Sequence, residues 1–186
     1  MNEHTDRVCP WWLGYVLVSP IRRLFENPRR LLEPLVREGM TVLEPGCGMG
    51  YFTLEAARLV GPSGKVVAVD LQKKMIDGLK RRLKRAGLSD RVDARIAPAD
   101  SLAVSDLDDR VDVALALYFV HEAPDANRLF SELARALKPG GRILFVEPRG
   151  HVSAAAFQKS LEAAQAAGLR MEAGSSADKR RAVLAR

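Results

Sequence analysis

Residues 42–50 read Val-Leu-Glu-Pro-Gly-Cys-Gly-Met-Gly, and this stretch decides the fold of the chain. A short apolar strand leads into an acidic residue, Glu44, and then into three glycines at alternate positions, Gly46, Gly48 and Gly50. Alternate glycines after a strand permit a turn in which the backbone approaches a ligand closely. Residues 51–60 predict a helix, whose free N-terminal amides favour the anionic end of a ligand. We therefore expect a small molecule to bind at this turn.

The spacing of the glycines narrows the class of ligand. Dinucleotide-binding folds carry a Gly-x-Gly-x-x-Gly pattern, in which the third glycine serves close packing of helix on strand. Counted from Gly46, that glycine would be residue 51, which is Tyr51 in this chain, and the third glycine comes one position early at Gly50. A dinucleotide-dependent oxidoreductase is thus an alternative that Tyr51 argues against.

Outward from this turn, strand and helix patterns alternate along the chain. The alternation predicts an α/β fold of three layers, doubly wound, with a mostly parallel sheet and helices on both faces. Residues 169–172 and 181–185 predict a C-terminal antiparallel hairpin, because a polar stretch joins these two short predicted strands. The other predicted strands are 40–44, 65–70, 91–96, 111–118 and 142–147, and the predicted helices include 31–38, a segment ended by Gly87, 126–137 and one that begins near Ser153.

Acidic residues follow the first three predicted strands. Glu44 ends the first strand, Asp70 ends the second, and Asp100 follows the third. Ligands of open α/β sheets bind at the carboxyl ends of the strands, where an acid such as Asp70 can accept hydrogen bonds from ribose hydroxyls. Each acid alone has a more ordinary explanation as a cap or turn residue, and their joint occurrence in order favours a binding site.

These motifs closely resemble the class I S-adenosylmethionine-dependent methyltransferases, over residues 30–186. The resemblance rests on the Glu-x-Gly-x-Gly-x-Gly pattern, Asp70, Ala99-Asp100 and the Leu-Lys-Pro-Gly-Gly-Arg run at 137–142. It implies a seven-stranded sheet and S-adenosyl-L-methionine as cofactor. It also implies that Gly46, Cys47 and Gly48 lie against the methionine portion, and that Leu117 contacts the methionine amino group or carboxylate through its backbone. On the nucleoside side, it implies that Asp70 binds the ribose hydroxyls and Leu71 packs on the adenine. Asp100 is expected to accept from the adenine amino group, with Ala99 contributing backbone.

Chain length, cysteine content and hydropathy bear on the number of domains, the cellular compartment and the presence of a membrane span. A chain of 186 residues predicts a single domain, 1–186, with residues 1–38 as an N-terminal helical lid or cap. Two cysteines do not make a disulfide framework, which favours a cytoplasmic protein. Cys47 fits a crowded turn as a small residue, although a helix N-terminus can also activate a thiol. No apolar run reaches the ~20 residues that span a bilayer.

Two histidines are candidates for a catalytic base. His121 follows the fourth predicted strand, beside Tyr118, and His151 follows the fifth. Methyl transfer needs the acceptor held about 3–3.5 Å from the methyl carbon, and a base only if the acceptor must lose a proton. Either histidine could supply that base near neutral pH, and either could be an ordinary loop histidine. No metal site is predicted, because no acid follows the end of the fourth strand before Glu122.

The N-terminal segment is the candidate acceptor lid. Trp11, Trp12 and Tyr15 form an aromatic group before the first predicted helix, and adjacent tryptophans are costly unless they are buried or used. This segment either covers the acceptor or only packs on the domain. The aromatic residues of this segment and Tyr118 are the residues predicted to contact the acceptor.

Charge leaves a second class of acceptor open. The net charge is +6, and lysines and arginines cluster between residues 73 and 85 on the helix after Asp70. A solvated helix face explains this cluster about as well as RNA binding does. The sequence thus predicts an S-adenosylmethionine-dependent methyltransferase with a small-molecule acceptor. An RNA methyltransferase and a cofactor-binding protein without catalysis are the alternatives, and the oligomeric state is left open.

Overall fold

The structure is a computed structural model that describes Val18, residues 26–174, Ser176 and residues 179–186. Its strands form a seven-stranded, mostly parallel sheet flanked by helices, and the last strands are antiparallel. The predicted fold class is confirmed. The strands are β1 (Thr41–Pro45), β2 (Lys65–Asp70), β3 (Val92–Ile96), β4 (Val111–Leu117), β5 (Leu137–Val146), β6 (Arg170–Met171) and β7 (Arg181–Ala185).

Among the described residues, one short helix precedes β1 and the other helices fall between strands. The same residues include three short 3-10 helices, at Ser89–Arg91, Ser105–Leu107 and Val120–Glu122. The α-helices are α1 (Pro28–Leu32), α2 (Thr53–Leu59), α3 (Lys73–Ala86), α4 (Ala126–Ala136) and α5 (Ala154–Ala166). By its contacts the chain divides into two compact units, Met1–Ile96 and Ala97–Arg186.

In the first unit three parallel strands pair in the order β3-β2-β1. The central strand β2 is apolar and buried from Val66 to Val69, as is typical of a strand covered on both faces. The register pairs Pro45 with Val69 and Asp70 with Ile96. Because the strands are parallel and in step, the loop that begins at Gly46 and the carboxylate of Asp70 leave the sheet side by side.

Helix α3 follows β2 and packs on β2 and β3. Its buried residues recur at helical spacing and include Ile76, Leu79 and Leu83, as the sequence predicts. The helix ends at Gly87, whose left-handed φ of 67° is the conformation that glycine adopts most easily.

In the second unit the strands pair in the order β4-β5-β7-β6. Strands β4 and β5 are parallel, whereas β7 is antiparallel to both β5 and β6. Phe145 of β5 packs between two helical phenylalanines, edge-on to Phe130 at 5.5 Å and stacked on Phe157 at 4.4 Å between ring centroids. These aromatic contacts fix α4 and α5 against β5.

Two elements have boundaries that differ from the sequence prediction by more than two residues. The first helix is Pro28–Leu32 and not residues 31–38; Asn27 caps it by accepting from the amides of Arg29 and Arg30. It stops before Pro34 because proline clashes with the preceding helical turn. Strand β5 begins at Leu137, five residues before the predicted Arg142, because Leu137 already pairs with Val111 of β4 ahead of an irregularity in the register.

Candidate functional site

The glycine loop follows β1 and is held by the backbone of its own unit. Gly46, Gly48 and Gly50 all have positive φ, at 64°, 53° and 82°. The amide of Cys47 donates to the carbonyl of Val69 over 3.1 Å, and the amide of Gly50 donates to the carbonyl of Cys47 over 3.0 Å. Three left-handed positions within five residues explain why glycine alternates here.

The loop departs from prediction in one respect. Helix α2 begins at Thr53 and has seven residues, so it starts two residues later than expected. A ligand at this turn would therefore meet the half-buried backbone of Gly46 and Gly48 before it meets the helix terminus. At Gly48 a Cβ would meet nothing within 4 Å, so the loop leaves open space on that side.

Asp70 fastens the glycine loop to the end of β2. Its Oδ2 accepts from the amide of Gly48 over 2.9 Å, and its Oδ1 accepts from the amide of Gln72 over 2.8 Å. Burial raises the pKa of Asp70, and these two amide hydrogen bonds oppose that rise. Each oxygen uses one lone pair and keeps another, so the carboxylate can still accept from a ligand hydroxyl.

Glu44 is a buried carboxyl with an unmet hydrogen bond. Only 3% of the residue is exposed, and Oε2 has no hydrogen-bond partner among the described residues. Burial raises the pKa of Glu44 to about 8, and the charge of Asp70 adds to this rise. Thr53 lowers the pKa as a nearby polar group, although its own hydroxyl forms no hydrogen bond within the described part of the chain. A buried polar atom left unpaired is costly unless a ligand completes it.

Cys47 lies in the same loop and is buried. Burial raises the pKa of its thiol well above the ordinary value, and the neighbouring Glu44 and Asp70 raise it further. A thiol in this environment stays protonated and is a poor nucleophile. The interpretation of Cys47 as a small residue that fits the turn is therefore favoured over a reactive thiol.

Two exposed apolar side chains, Leu71 and Ile96, lie beside Asp70, and only Leu71 was predicted from the sequence. Leu71 is 42% exposed and Ile96, at the end of β3, is 53% exposed. Ile96 pairs with Asp70 in the sheet, so both apolar side chains lie at the carboxyl ends of neighbouring strands. Ile96 carries no motif, and only its exposure at this edge reveals it.

These features of the first unit fit S-adenosylmethionine group by group. The unpaired Glu44 oxygen suits an ammonium, the Asp70 carboxylate suits a ribose diol, and Leu71 with Ile96 suits a flat apolar ring. The open space at Gly48 suits close approach of a ligand to the loop. The residues present thus fit the cofactor that the resemblance implies.

In the second unit, Ala99 and Asp100 lie on an exposed loop after β3. The Asp100 side chain is 69% exposed and forms an ion pair with Arg128 of α4 at 3.5 Å. Glu132, one turn further along α4, is buried; its Oε2 accepts from the amide of Leu102 over 2.7 Å and from Ser101 Oγ over 3.2 Å. Glu132 therefore anchors the loop that carries Asp100, a role without any local sequence signal.

Leu117 and Tyr118 stand at the end of β4. Leu117 is buried, and Tyr118 has a positive φ of 57° while its amide donates to the carbonyl of Val146 over 2.7 Å. A left-handed conformation is unfavourable for a bulky residue, so the surrounding hydrogen bonds must hold this turn. The turn leads into the short 3-10 helix Val120–Glu122.

The structure brings both predicted histidines together with a glutamate. Nδ1 of His121 lies 2.7 Å from Oε2 of Glu147, the residue that follows β5, and the backbone amide of His121 donates to Oε1 over 2.9 Å. The hydrogen bond with Glu147 raises the pKa of His121, burial opposes this, and Glu122 adds to the rise. The rings of His121 and His151 lie 6.5 Å apart between centroids. The sequence showed Glu147 at a strand end but gave no sign of its pairing.

Part of the predicted substrate side of the site lies outside the described residues. Trp11, Trp12 and Tyr15 lie outside the described residues, as does most of the predicted lid, 1–38. Within the described part of the chain, no three His, Cys, Asp or Glu side chains are grouped so as to hold a metal ion. In the same residues, no helix combines the length and apolar character that crossing a membrane requires.

Comparison with known proteins identifies the family. A protein-family model described as "Methyltransferase domain" matches residues 36–181. The ubiquinone/menaquinone biosynthesis C-methyltransferase UbiE of Hahella chejuensis is 36% identical over 113 residues, which is 60% of this chain and 44% of that protein. The arsenite methyltransferase of Halobacterium salinarum is 34% identical over 105 residues, 56% of this chain and 26% of that protein.

The fold has a close structural neighbour. A S-adenosylmethionine-dependent methyltransferase from Aquifex aeolicus superposes with a TM-score of 0.81, covering 96% of this chain and 98% of that one at 22% identity, a likeness of fold. The chain spans less than half the length of the curated relatives that it matches. Because the family model covers most of the residues, the chain belongs to the class I S-adenosylmethionine-dependent methyltransferase family.

Proposed function

We propose that this chain transfers a methyl group from S-adenosylmethionine to a small-molecule acceptor. The observation that carries the proposal is the joint arrangement of the first unit. One acid, Asp70, ties down the glycine loop, and a second, Glu44, keeps a buried oxygen without a partner. A tight turn that served only the fold would not need a buried, unpaired carboxyl beside it.

When bound, S-adenosylmethionine supplies a methyl group activated by a sulfonium, so the protein needs mainly to bind and orient. In this proposal Glu44 binds the α-ammonium, Asp70 accepts from the ribose hydroxyls, and Leu71 with Ile96 covers the adenine. Gly46, Cys47, Gly48 and Gly50 present backbone along the methionine portion. The roles of Ala99, Asp100 and Leu117 follow from the family resemblance and stay predictions.

A small organic acceptor is favoured over arsenite. Soft thiolates are the ligands that a thiophilic metalloid such as arsenic(III) requires. This sequence holds two cysteines; Cys47 is buried with a raised thiol pKa, and Cys9 lies outside the described residues. The names of the ubiquinone/menaquinone biosynthesis C-methyltransferase relatives point instead to a carbon acceptor. A cytosolic location belongs to the same proposal and agrees with the free thiol of Cys47.

RNA is the alternative acceptor, and part of the basic charge on α3 has another use. Lys73 forms an ion pair with Asp77 at 2.7 Å, and Arg82 donates to the carbonyl of Met49 in the glycine loop. These contacts serve the unit itself. Binding of RNA with a steep loss of affinity at higher salt would restore this alternative.

Isothermal calorimetry with S-adenosylhomocysteine tests the donor site directly. We expect binding with a micromolar dissociation constant and a stoichiometry of one. Absence of binding well above micromolar concentrations would reject the proposal. If the cofactor binds but radiolabelled methyl never leaves it for any acceptor pool, the chain is a cofactor-binding protein without catalysis.

A further inference from the structure

Arg82 of helix α3 turns toward the glycine loop. It belongs to the cluster of lysines and arginines between residues 73 and 85, and it is half-buried. Its guanidinium Nη1 donates to the backbone carbonyl of Met49, 33 positions earlier in the chain. Both residues lie in the first unit. A helix whose basic residues resemble a solvated face in the sequence therefore has a member directed at the candidate cofactor loop.

Helix α3 comes close enough for this contact because Gly78 lies one turn before Arg82. A Cβ at Gly78 would lie 2.8 Å from Cγ and 3.0 Å from Sδ of Met49, so a larger residue there would displace the Met49 side chain. Residues four positions apart share one face of a helix. Met49 is 3% exposed, and α3 thus contacts both its side chain, at Gly78, and its backbone carbonyl, at Arg82.

The peptide bond between Met49 and Gly50 is held at both of its polar ends. Its carbonyl accepts from Arg82, and its amide, which belongs to Gly50, donates to the carbonyl of Cys47 over 3.0 Å. The carbonyl and the amide of a trans peptide point in opposite directions, so the two hydrogen bonds enforce the same orientation of the peptide plane. A rotation of this plane would break both.

This peptide needs support because a glycine follows it. Rotation of the plane changes ψ of Met49 and φ of Gly50, and a residue without a Cβ opposes such a change weakly. A rotated plane would also exchange the positions of a carbonyl and an amide in the backbone that the proposed function places along the methionine portion of the cofactor. The glycine gives the loop its shape, and the contact with α3 keeps that shape.

The remaining contacts of the loop act before or after this peptide. From β2, the carbonyl of Val69 holds the amide of Cys47, and the carboxylate of Asp70 holds the amide of Gly48. On the other side, the carbonyl of Gly50 accepts from the amide of Leu54 over 3.5 Å, at the start of α2. The carbonyl of Met49 lies between these two sets, where Arg82 reaches it.

We propose that Arg82 is a positioning residue that holds the glycine loop in its cofactor-binding conformation before S-adenosylmethionine binds, an inference that rests on the proposed function. Arg82 acts through the Met49–Gly50 peptide and does not itself need to touch the cofactor. A loop that is already ordered loses less conformational entropy on binding, so the affinity rises without a new contact to the ligand.

Amide hydrogen exchange of the full chain, measured without cofactor, tests the hold on the peptide. In Arg82→Met we expect the Gly50 amide to exchange about 10-fold faster, because one of the two hydrogen bonds on its peptide is gone. The Gly48 amide, which Asp70 holds, is the internal reference and should keep its rate. Arg85→Met removes the same charge from an exposed position of α3 and should change neither amide. Unaltered exchange of Gly50 in Arg82→Met would overturn the proposal.

Calorimetry with S-adenosylhomocysteine tests the consequence for the cofactor. We expect Arg82→Met to bind about 10-fold more weakly and Arg85→Met to bind within about twofold of the unaltered protein. Arg82→Lys should lie between them, because lysine keeps the charge and loses the planar guanidinium that fits the Met49 carbonyl.

Salt separates positioning from simple charge attraction. The loss in Arg82→Met should persist between about 0.05 and 0.5 M salt, since screening acts mainly on exposed and distant charges. A loss that vanishes at high salt would overturn the positioning role. Full affinity in Arg82→Lys while its Gly50 amide still exchanges fast would do the same.

Ile76→Val controls for lost stability without a contact to the loop peptide. It removes one buried methyl group from the same helix, so it should lower the melting temperature and leave the affinity for S-adenosylhomocysteine unchanged. If it weakens binding as much as Arg82→Met does for the same loss of melting temperature, Arg82 is merely structural and the proposal is overturned. If the unaltered protein does not bind S-adenosylhomocysteine, the proposed function is rejected, and the exchange of Gly50 still decides whether Arg82 holds the loop.

Discussion

The backbone amide of Gly48 donates a hydrogen bond of 2.9 Å to Oδ2 of Asp70, across 22 positions of sequence. The acid predicted to bind the cofactor ribose therefore also holds the loop predicted to bind its methionine portion. Its second oxygen accepts from the amide of Gln72, which starts the turn into α3. One side chain thus organises two segments, and its removal should affect folding and binding together.

Asp70→Ala should weaken binding of S-adenosylhomocysteine by about 10- to 100-fold, because hydrogen bonds to a charged acceptor contribute ~1.5–3 kcal/mol. It should also lower the free energy of unfolding by ~1–3 kcal/mol, since two backbone amides lose their acceptor. Calorimetry and denaturant unfolding measure the two effects. Asp77→Ala, an exposed acid on α3, should change neither by much. Equal affinities of Asp70→Ala and Asp77→Ala for S-adenosylhomocysteine would show that Asp70 does not bind the cofactor.

Glu44 predicts a specific pH dependence of stability. Its pKa is about 8 in the folded chain against an ordinary 4.5, so between these values the folded state holds a proton that the unfolded state has lost. The contribution of this group to stability is complete below pH 4.5 and falls as the pH rises toward 8, by at most about 1.4 kcal/mol per pH unit. Glu44→Gln should abolish this slope, so unfolding curves of the two proteins should converge at low pH and diverge toward pH 8.

The same carboxyl should release its proton when the cofactor binds. An ammonium beside Glu44 favours the charged carboxylate and returns its pKa toward the ordinary value. Calorimetric titrations with S-adenosylhomocysteine at pH 7, in buffers of different ionisation enthalpy, should then report about one proton released. Glu44→Gln should release none, and Glu38→Gln, an exposed control, should behave as the unaltered protein. Binding without proton release would place the ammonium elsewhere.

Alanine substitutions at two glycines with positive φ distinguish the effect of backbone strain from the effect of ligand contact. Gly48→Ala and Gly140→Ala both place a Cβ in open space, at φ values of 53° and 79°. Each should cost about 1–2 kcal/mol of stability through the left-handed backbone. Only Gly48→Ala should weaken binding of S-adenosylhomocysteine, because its Cβ would fill the space beside the loop. If both bind equally well, the ligand does not approach Gly48.

Gly50→Ala should behave differently from both. Its Cβ would lie 2.3 Å from Cδ1 of Leu79 and 3.0 Å from Cδ1 of Leu54, in addition to a φ of 82°. Overpacking costs a further ~1–3 kcal/mol, so the melting temperature should fall more than in either other variant. This glycine is required by packing of α2 and α3 on the loop, and a melting temperature equal to that of Gly48→Ala would contradict that.

Most of the fold could be predicted from local sequence patterns. Gly87 and Ser153 are caps that act within a few residues, and both are where the sequence predicts them. Strand β2 and the position of Asp70 at its end could also be predicted from the sequence, because a continuous apolar run and the acid that follows it are both local signals. The first half of the candidate site was predictable for this reason.

Long-range contacts account for what the sequence did not show. Glu147 and His121 are 26 positions apart, and no sequence pattern near either residue predicts their contact. In the sequence Glu132 is an ordinary charged residue of an amphipathic helix, and only the structure shows its hydrogen bond with the amide of Leu102. Ile96 is an ordinary strand residue whose exposure depends on what covers it. Such roles arise from tertiary packing and need the structure.

Glu132→Ala should loosen the loop that carries Asp100. Removing the carboxylate leaves the amide of Leu102 without its acceptor in a buried place, which costs ~1–3 kcal/mol. It also frees Arg128, which contacts Glu132 at 3.3 Å and Asp100 at 3.5 Å. We expect the Leu102 amide to exchange with deuterium roughly 10- to 100-fold faster, in line with that energy. Glu162→Ala, exposed on α5, should leave it unchanged, and unaltered exchange at Leu102 in Glu132→Ala would show that another group holds the loop.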